Sequence, residues 1–226
     1  MTLKQVSILY PKKGSDDSSS KNTFLLYSQL YYQLLTFMRK LKLQMQVSVD
    51  GFVAGPNGEM GWMTWNWDDA LKNYVTELTD SIGSILIGRK LAEGFIPYWA
   101  GVAADEKNPE RPFGKLMSDT HKVVFSQTLR ESPWENTTLA TGDLVDEINR
   151  LKQQDGKDMI TYGGAGLASN LIRHGLIDEY HLFINPTAIG MGLSIYTNLE
   201  DNLKLRLVKS VAFESGIVVV WYEPEY

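Results

Sequence analysis

Three short stretches combine residue types that chemistry can use. Tyr162 to Asn170 reads YGGAGLASN. The apolar run Met159 to Tyr162 leads in and a helical pattern comes after, so the glycines sit between a strand and a helix start. Such a junction gathers free N–H groups and the positive helix end at one point, and an anion binds there. Without side chains, Gly163, Gly164 and Gly166 let a pyrophosphate approach the main chain. The bland alternative is a tight turn that needs positive φ and nothing more. Gly164 and Gly166 have the first spacing of G-x-G-x-x-G, but Ser169 takes the third place. Asp178 and Glu179 precede the next strand, too early for the ribose-binding acid of a Rossmann unit. The loop therefore belongs to another α/β architecture. Gly88-Arg89-Lys90, after the strand-like Ser84 to Ile87, is a second junction and offers cations, or simply a helix start with solvated basic residues. Ser126, after KVVF (Lys122 to Phe125), is a third and offers a hydroxyl. In one parallel sheet all three strand ends point to the carboxyl edge, where ligands bind. Together they suit a phosphorylated dinucleotide.

Other candidates are carboxylates and tryptophans. Asp50 ends the first strand at that same edge and is a candidate catalytic group; its alternative is the turn residue of an Asp-Gly pair. Asp68 and Asp69 open a helix and are candidates for the same work, with helix capping as the alternative. Trp62, Trp65 and Trp67 have the flat faces to stack on a planar substrate, or to form a lid or a dimer contact. His121, His174 and His181 share no metal-ligand spacing, so no metal site is expected. No Gly-x-Ser-x-Gly elbow is present.

The elements that must position these residues emerge from periodicity. Leu41 to Val49 alternates apolar with polar, the period of a half-buried strand. Asp68 and Asp69 precede a helix with Leu71, Val75 and Leu78 on one face. Gly88 opens a helix expected to end before Pro97, and residues 101–114 read as a polar loop. Thr137 to Ala140 is a short strand. A helix starts at Asp143 and stops at Asp155-Gly156. After the glycine loop, Leu167 to His174 is helical and Tyr180 to Ile184 is a strand. Leu203 to Phe213 and Ile217 to Tyr222 flank Glu214-Ser215-Gly216 as a hairpin. Strands and helices alternate until about residue 185, which gives an α/β fold, mostly parallel, with an antiparallel C-terminal hairpin.

Composition narrows the classes further. Across 226 residues there is no cysteine, which excludes disulfides, Cys-ligated metals and a thiol nucleophile, and fits a reducing, cytoplasmic setting. With a net charge of -5, the chain lacks the basic footprint of a nucleic-acid binder. Residues 1–37 differ from the rest of the chain. They hold the polar run SDDSSS and then FLLYSQLYYQLLTF, which is interrupted by Ser and Gln and short for a membrane span. Met38 reads as the natural start and residues 1–37 as a poorly structured or accessory extension. A helix added to the domain and a membrane-directed segment are the alternatives. Without these residues the net charge is -7, so neither a membrane surface nor a nucleic acid is expected as a partner of residues 38–226.

Five segments in order carry a family resemblance: VSVDGFVAGPNGEMGW (47–62), ILIGRKL (85–91), KVVFS (122–126), ITYGGAGLASNLIRHGLIDEYHL (160–182) and NPTAIGMGLSIY (185–196). They resemble the dihydrofolate reductase superfamily, above all its branch of riboflavin-biosynthesis reductase domains and stand-alone relatives. The resemblance implies a three-layer fold around a twisted sheet of about eight strands, and an NADPH-dependent reductase acting on a pteridine- or pyrimidine-like heterocycle. It implies cofactor phosphates at Gly88, Arg89 and Lys90, and the 2′-phosphate by Ser126. It places the pyrophosphate at Gly163 and Gly164, a pair often joined by a cis peptide, with Ala165, Gly166 and Leu167 continuing the turn. Val53 and Ala54 would cover the nicotinamide, and Asp68 or Asp69 lies near the family's helix carboxylate. A zinc deaminase domain has no room here, and the arginines that hold a ribose phosphate find no match near residues 60–80. A homodimer is implied, with Ile217 to Tyr222 as the apolar segment available for it. The alternative is a catalytically silent dimeric nucleotide-binding module of the same fold.

Overall fold

Leucine, isoleucine and valine runs of four to eight residues build one sheet, with strand order β4-β3-β2-β5-β1-β6-β8-β7. The structure is a computed structural model that describes residues 38–225; the readings made for residues 1–37 fall outside them. β1 (Leu41–Ser48) lies near the middle, parallel to β5 (Asp158–Thr161) on one side and to β6 (Glu179–Asn185) on the other. β2 (Ile82–Gly88), β3 (His121–Phe125) and β4 (Thr137–Ala140) continue the parallel set beyond β5. β7 (Leu205–Ala212) and β8 (Val218–Pro224) form the expected hairpin, and β8 runs antiparallel to β6.

Helices cover both faces. On one face, α4 (Leu144–Lys152) and α5 (Ala165–Arg173) bury Ile148, Leu151, Ala168 and Leu171 against Leu41, Leu43, Met45 and Val47 of β1. On the other, α1 (Asp69–Asp80), α2 (Arg89–Ala104) and α3 (Arg111–Asp119) pack over two apolar clusters. One cluster centres on Ile85, Ile87 and Ile160, the other on Leu71, Val75, Phe183 and Val219.

Two local expectations fail for the same reason. α2 does not end before Pro97 but carries it inside the helix and runs to Ala104. Proline has no N–H for the carbonyl four residues back. The helix continues because Phe95, Ile96 and Trp99 pack on the β2–β3 cluster, with Trp99 edge-on to Phe113 of α3. Residues 101–114 are likewise not a polar loop throughout. Only the turn 105–110 separates α2 from α3, and Gly114 packs so close to α2 that a Cβ there would meet Val102 at 2.7 Å. Tertiary packing outweighs local propensity at both points.

β1 also departs from expectation. Its alternation predicts one solvated face, yet the strand is covered on both. Lys42, Gln44, Gln46 and Ser48 share a face, and only Lys42 of the four is charged. Gln44 is 8% exposed and Ser48 1%. A strand inside a mostly parallel sheet has helices over both faces, so its polar residues are enclosed.

Candidate functional site

Four strands that lie side by side, β3, β2, β5 and β1, end at one edge of the sheet. Their next residues are Ser126, Arg89, the Tyr162-Gly163 pair and the Val49-Asp50 turn. The glycine loop thus stands beside the Gly88-Arg89 junction on neighbouring strands. Gly163 has φ 105° and Gly164 φ 29°, conformations that L side chains rarely adopt. A Cβ on Gly163 would meet the Met45 methyl at 2.8 Å, while one on Gly164 or Gly166 would point into open space. The peptides here are trans, so the cis bond that the resemblance implies between Gly163 and Gly164 is absent.

α5 begins at Ala165, two residues earlier than the pattern predicts, and brings Ala165, Gly166 and Leu167 into its first turn. N–H groups of a first helical turn have no carbonyl within the helix. Neither α5, with Gly164 as N-cap, nor α2, with Gly88 as N-cap, has a capping side chain. Arg89 pairs with Glu93 one turn on, and Lys90 is exposed. Ser126 is buried; its Oγ accepts from the N–H groups of Thr128 (3.2 Å) and Leu129 (3.0 Å) and so shapes the loop after β3.

The candidate carboxylates hold loops. Asp50 accepts from Ser48 Oγ (2.6 Å), Gly190 N (2.7 Å) and Ile189 N (3.1 Å). The Ser48 bond, then that of Gly190, keeps its carboxyl below the ordinary value, so it is an acceptor without a proton to give. Asp68 caps α1 through Leu71 N (2.8 Å) and also takes Ser215 N (3.1 Å), tying the helix to the β7–β8 turn. Asp69 is exposed in the first turn of α1. Val53 and Ala54 are buried and clamped to the chain opposite: Val53 N donates to Leu193 O (2.8 Å), and Leu193 N to Ala54 O (2.9 Å). Gly192 is required there, because a Cβ would collide with the Ala54 carbonyl.

Trp62 leans on its own turn through Nε1 to Glu59 O (3.2 Å). Trp65 is 64% exposed and stacks on Trp67, which stacks on Phe183 of β6. The loop is fastened by Thr64 N, which donates to Asn185 Oδ1 (2.8 Å). Asn185 is fully buried and donates from Nδ2 to Gln46 Oε1 (2.8 Å) and Phe183 O (3.1 Å). Sequence pattern missed Gln46 and Asn185. The available signal was glutamine at alternate positions of a strand that topology makes central.

The opposite, amino edge is closed by charge pairs. Lys42 lies 3.2 Å from Asp158 and 3.5 Å from Glu179, which also takes Lys40 (2.7 Å) and His181 (3.3 Å). The other ring nitrogen of His181 meets Tyr74 OH at 3.1 Å, and Trp221 stacks on the ring. His181 is thus a satisfied structural histidine.

The RibD C-terminal domain model matches residues 39–219. The uncharacterized protein YyaP of Bacillus subtilis (strain 168) is 33% identical over 187 residues, 81% of this chain and 94% of that protein. Among solved structures, the diaminohydroxyphosphoribosylaminopyrimidine deaminase/5-amino-6-(5-phosphoribosylamino)uracil reductase of Thermotoga maritima has a TM-score of 0.60 at 18% identity, covering 83% of this chain and 57% of that one. A dihydrofolate reductase of Enterococcus faecalis, complexed with NADP(H), has a TM-score of 0.54 at 14% identity, covering 84% of this chain and 99% of that one. At these identities the structural likenesses show the fold. With the family model spanning most of the chain, and a dihydrofolate-reductase-like sheet beneath it, the protein belongs to the RibD C-terminal domain family.

Proposed function

We propose that the protein is an NADPH-dependent reductase that transfers hydride to a pteridine- or pyrimidine-like heterocycle. The observation that carries this is the pair of uncapped helix starts on the adjacent strands β2 and β5, one with Arg89 and Lys90, the other behind glycines of positive φ. The residues fit the cofactor: the space over Gly164 and Gly166 is open, and first-turn amides of both helices are donors for a diphosphate. NADPH, when bound, supplies the hydride. Gly163 to Leu167 hold the diphosphate through main-chain N–H groups. Arg89, Lys90 and the Ser126 hydroxyl favour the phosphorylated dinucleotide, since a 2′-phosphate calls for cations and donors. Val53 and Ala54, fixed by Leu193, and Asp50, fixed to the 189–190 turn, set the loop that follows β1 at the carboxyl edge.

The test is calorimetric titration of the full chain with NADPH and NADH, then NADPH oxidation at about 340 nm with pterins and aminopyrimidines. NADPH-selective binding with oxidation by one class supports the proposal. NADPH binding without oxidation by any of them favours the silent nucleotide-binding module, and no binding of either cofactor overturns both.

A homodimer belongs to the same proposal. Ile217 to Tyr222 lie in or next to β8, which is paired on both edges by β6 and β7. Among the described residues β4 and β7 are the edge strands; on β7 Leu207 is 51% exposed, and an edge strand is a template for pairing with a second copy. Light scattering should report a dimer that Leu207→Lys dissociates; a monomeric native chain removes this part.

A further inference from the structure

The polar face of β1 carries two side-chain amides whose hydrogen bonds are incomplete. Gln44 Oε1 is buried with no partner, and the Gln44 side chain makes no hydrogen bond among the described residues. A buried amide left unsatisfied costs about 1–3 kcal/mol, so its retention needs a reason.

Gln46 is oriented by two main-chain groups acting through Asn185. Thr64 N–H can only donate, so it fixes Asn185 Oδ1; the Phe183 carbonyl can only accept, so it fixes Asn185 Nδ2. Nδ2 then also donates to Gln46, which must offer Oε1 in return. What remains of Gln46 is the Nε2 donor, which no group among the described residues accepts. Gln44 and Gln46 stand two positions apart on one face, roughly 7 Å at the backbone, close enough for two flexible side chains to converge. The Trp67 loop, hung on the same Asn185, covers that end of the face with aromatic surface.

We infer, resting on the proposed reductase function, that Gln44 and Gln46 bind the lactam edge of the substrate ring. Gln44 Oε1 accepts a ring N–H and Gln46 Nε2 donates to the adjacent ring carbonyl. Both groups are neutral, so the ligand class is an uncharged, flat lactam heterocycle.

The test uses the full chain with NADP⁺ present and two probes, 7,8-dihydropterin and its N3-methyl derivative, which lacks the lactam N–H. Binding is tracked by tryptophan fluorescence, and NADPH affinity is measured separately by calorimetry. The native chain should bind the parent at least about tenfold tighter than the N3-methyl compound. Gln44→Met should erase that preference, Gln46→Met should weaken both probes, and NADPH affinity should stay within about twofold in each. The inference is overturned if the native chain binds both probes alike, if Gln44→Met keeps the preference, or if neither probe binds while NADPH does. The comparison of probes on the native chain needs no variant to fold. Failure of NADPH itself to bind would remove the reductase proposal and this inference together.

Discussion

The two ends of the central strands are built on opposite plans. At the amino edge buried polar and charged groups find partners in the protein: Lys40, Lys42, Asp158, Glu179 and His181 form one network, and Lys152 closes on Asp178 at 2.5 Å. At the carboxyl edge donors are left over: two helices begin on glycine without a capping side chain. The contrast also holds among the helices. α1 and α4 begin on Asp68 and Asp143, whose carboxylates satisfy first-turn amides. α3 removes one first-turn donor with Pro112. Among the described residues, α2 and α5 are the helices that begin on glycine with no side-chain acceptor. An edge that satisfies itself is a structural edge; an edge that leaves aligned donors exposed expects an anion.

The sharpest way to break this contrast is to damage one edge and measure both. Lys42→Met leaves Asp158 and Glu179 short of a cation in a nearly buried network. It should cost about 3 kcal/mol in denaturant unfolding while the NADPH dissociation constant changes less than about twofold. The same network predicts the acid response. Burial alone would raise the Glu179 carboxyl, but hydrogen bonds from His181 and Lys40 and the charge of Lys42 bring it from 4.5 down to about 2. Its folded value lies below its unfolded one, so its contribution is complete above about pH 4.5 and is lost as the pH falls from there toward 2. Stability measured across that window should fall, and fall less steeply in Lys42→Met.

At the other edge, Gly163→Ala should cost about 1–3 kcal/mol, since alanine is strained at φ 105° and meets Met45. Unlike the lysine variant, it should also lose most NADPH binding by calorimetry. Arg89→Ala should leave folding almost unchanged, because its partner Glu93 is exposed on the same helix. It should weaken NADPH about tenfold and NADH much less; equal losses would detach Arg89 from the 2′-phosphate. The smallest effect is expected at Asp143→Ala, about 1 kcal/mol from a lost cap with no change in cofactor affinity.

Most of the architecture was legible because period, cap and turn agreed. Asp143 with Leu144, Ile148 and Leu151 announced α4, and Glu214-Ser215-Gly216 announced the hairpin. Pro97 misled because local chemistry ends a helix there and only the distant aromatic contacts of Trp99 keep it going. The glycine loop, Gly88-Arg89 and Ser126 could be picked out from sequence, but their adjacency comes from the strand order β3-β2-β5. Asp50 and Asp68 read as candidate catalytic groups or as a turn residue and a helix cap, and the second reading holds for Asp68 through Leu71 N, while Asp50 sits in the turn after β1. What no local pattern spans is the second tie of each, to amides 139 and 147 positions away. Gln44 and Gln46 were hidden by the habit of reading polar alternation as a wet face.

The position of β1 bears on how the chain is made. β1 is the first strand of the described residues, yet its neighbours β5 and β6 are separated from it by more than a hundred residues. At about 5–20 residues per second on the ribosome, those partners arrive on the order of ten seconds later. Through that interval Leu41, Leu43, Met45 and Val47 have neither sheet nor helix to cover them. β1 is therefore a natural place for a chaperone to engage the nascent chain, and the step that inserts it between β5 and β6 is where folding of this protein should be slowest.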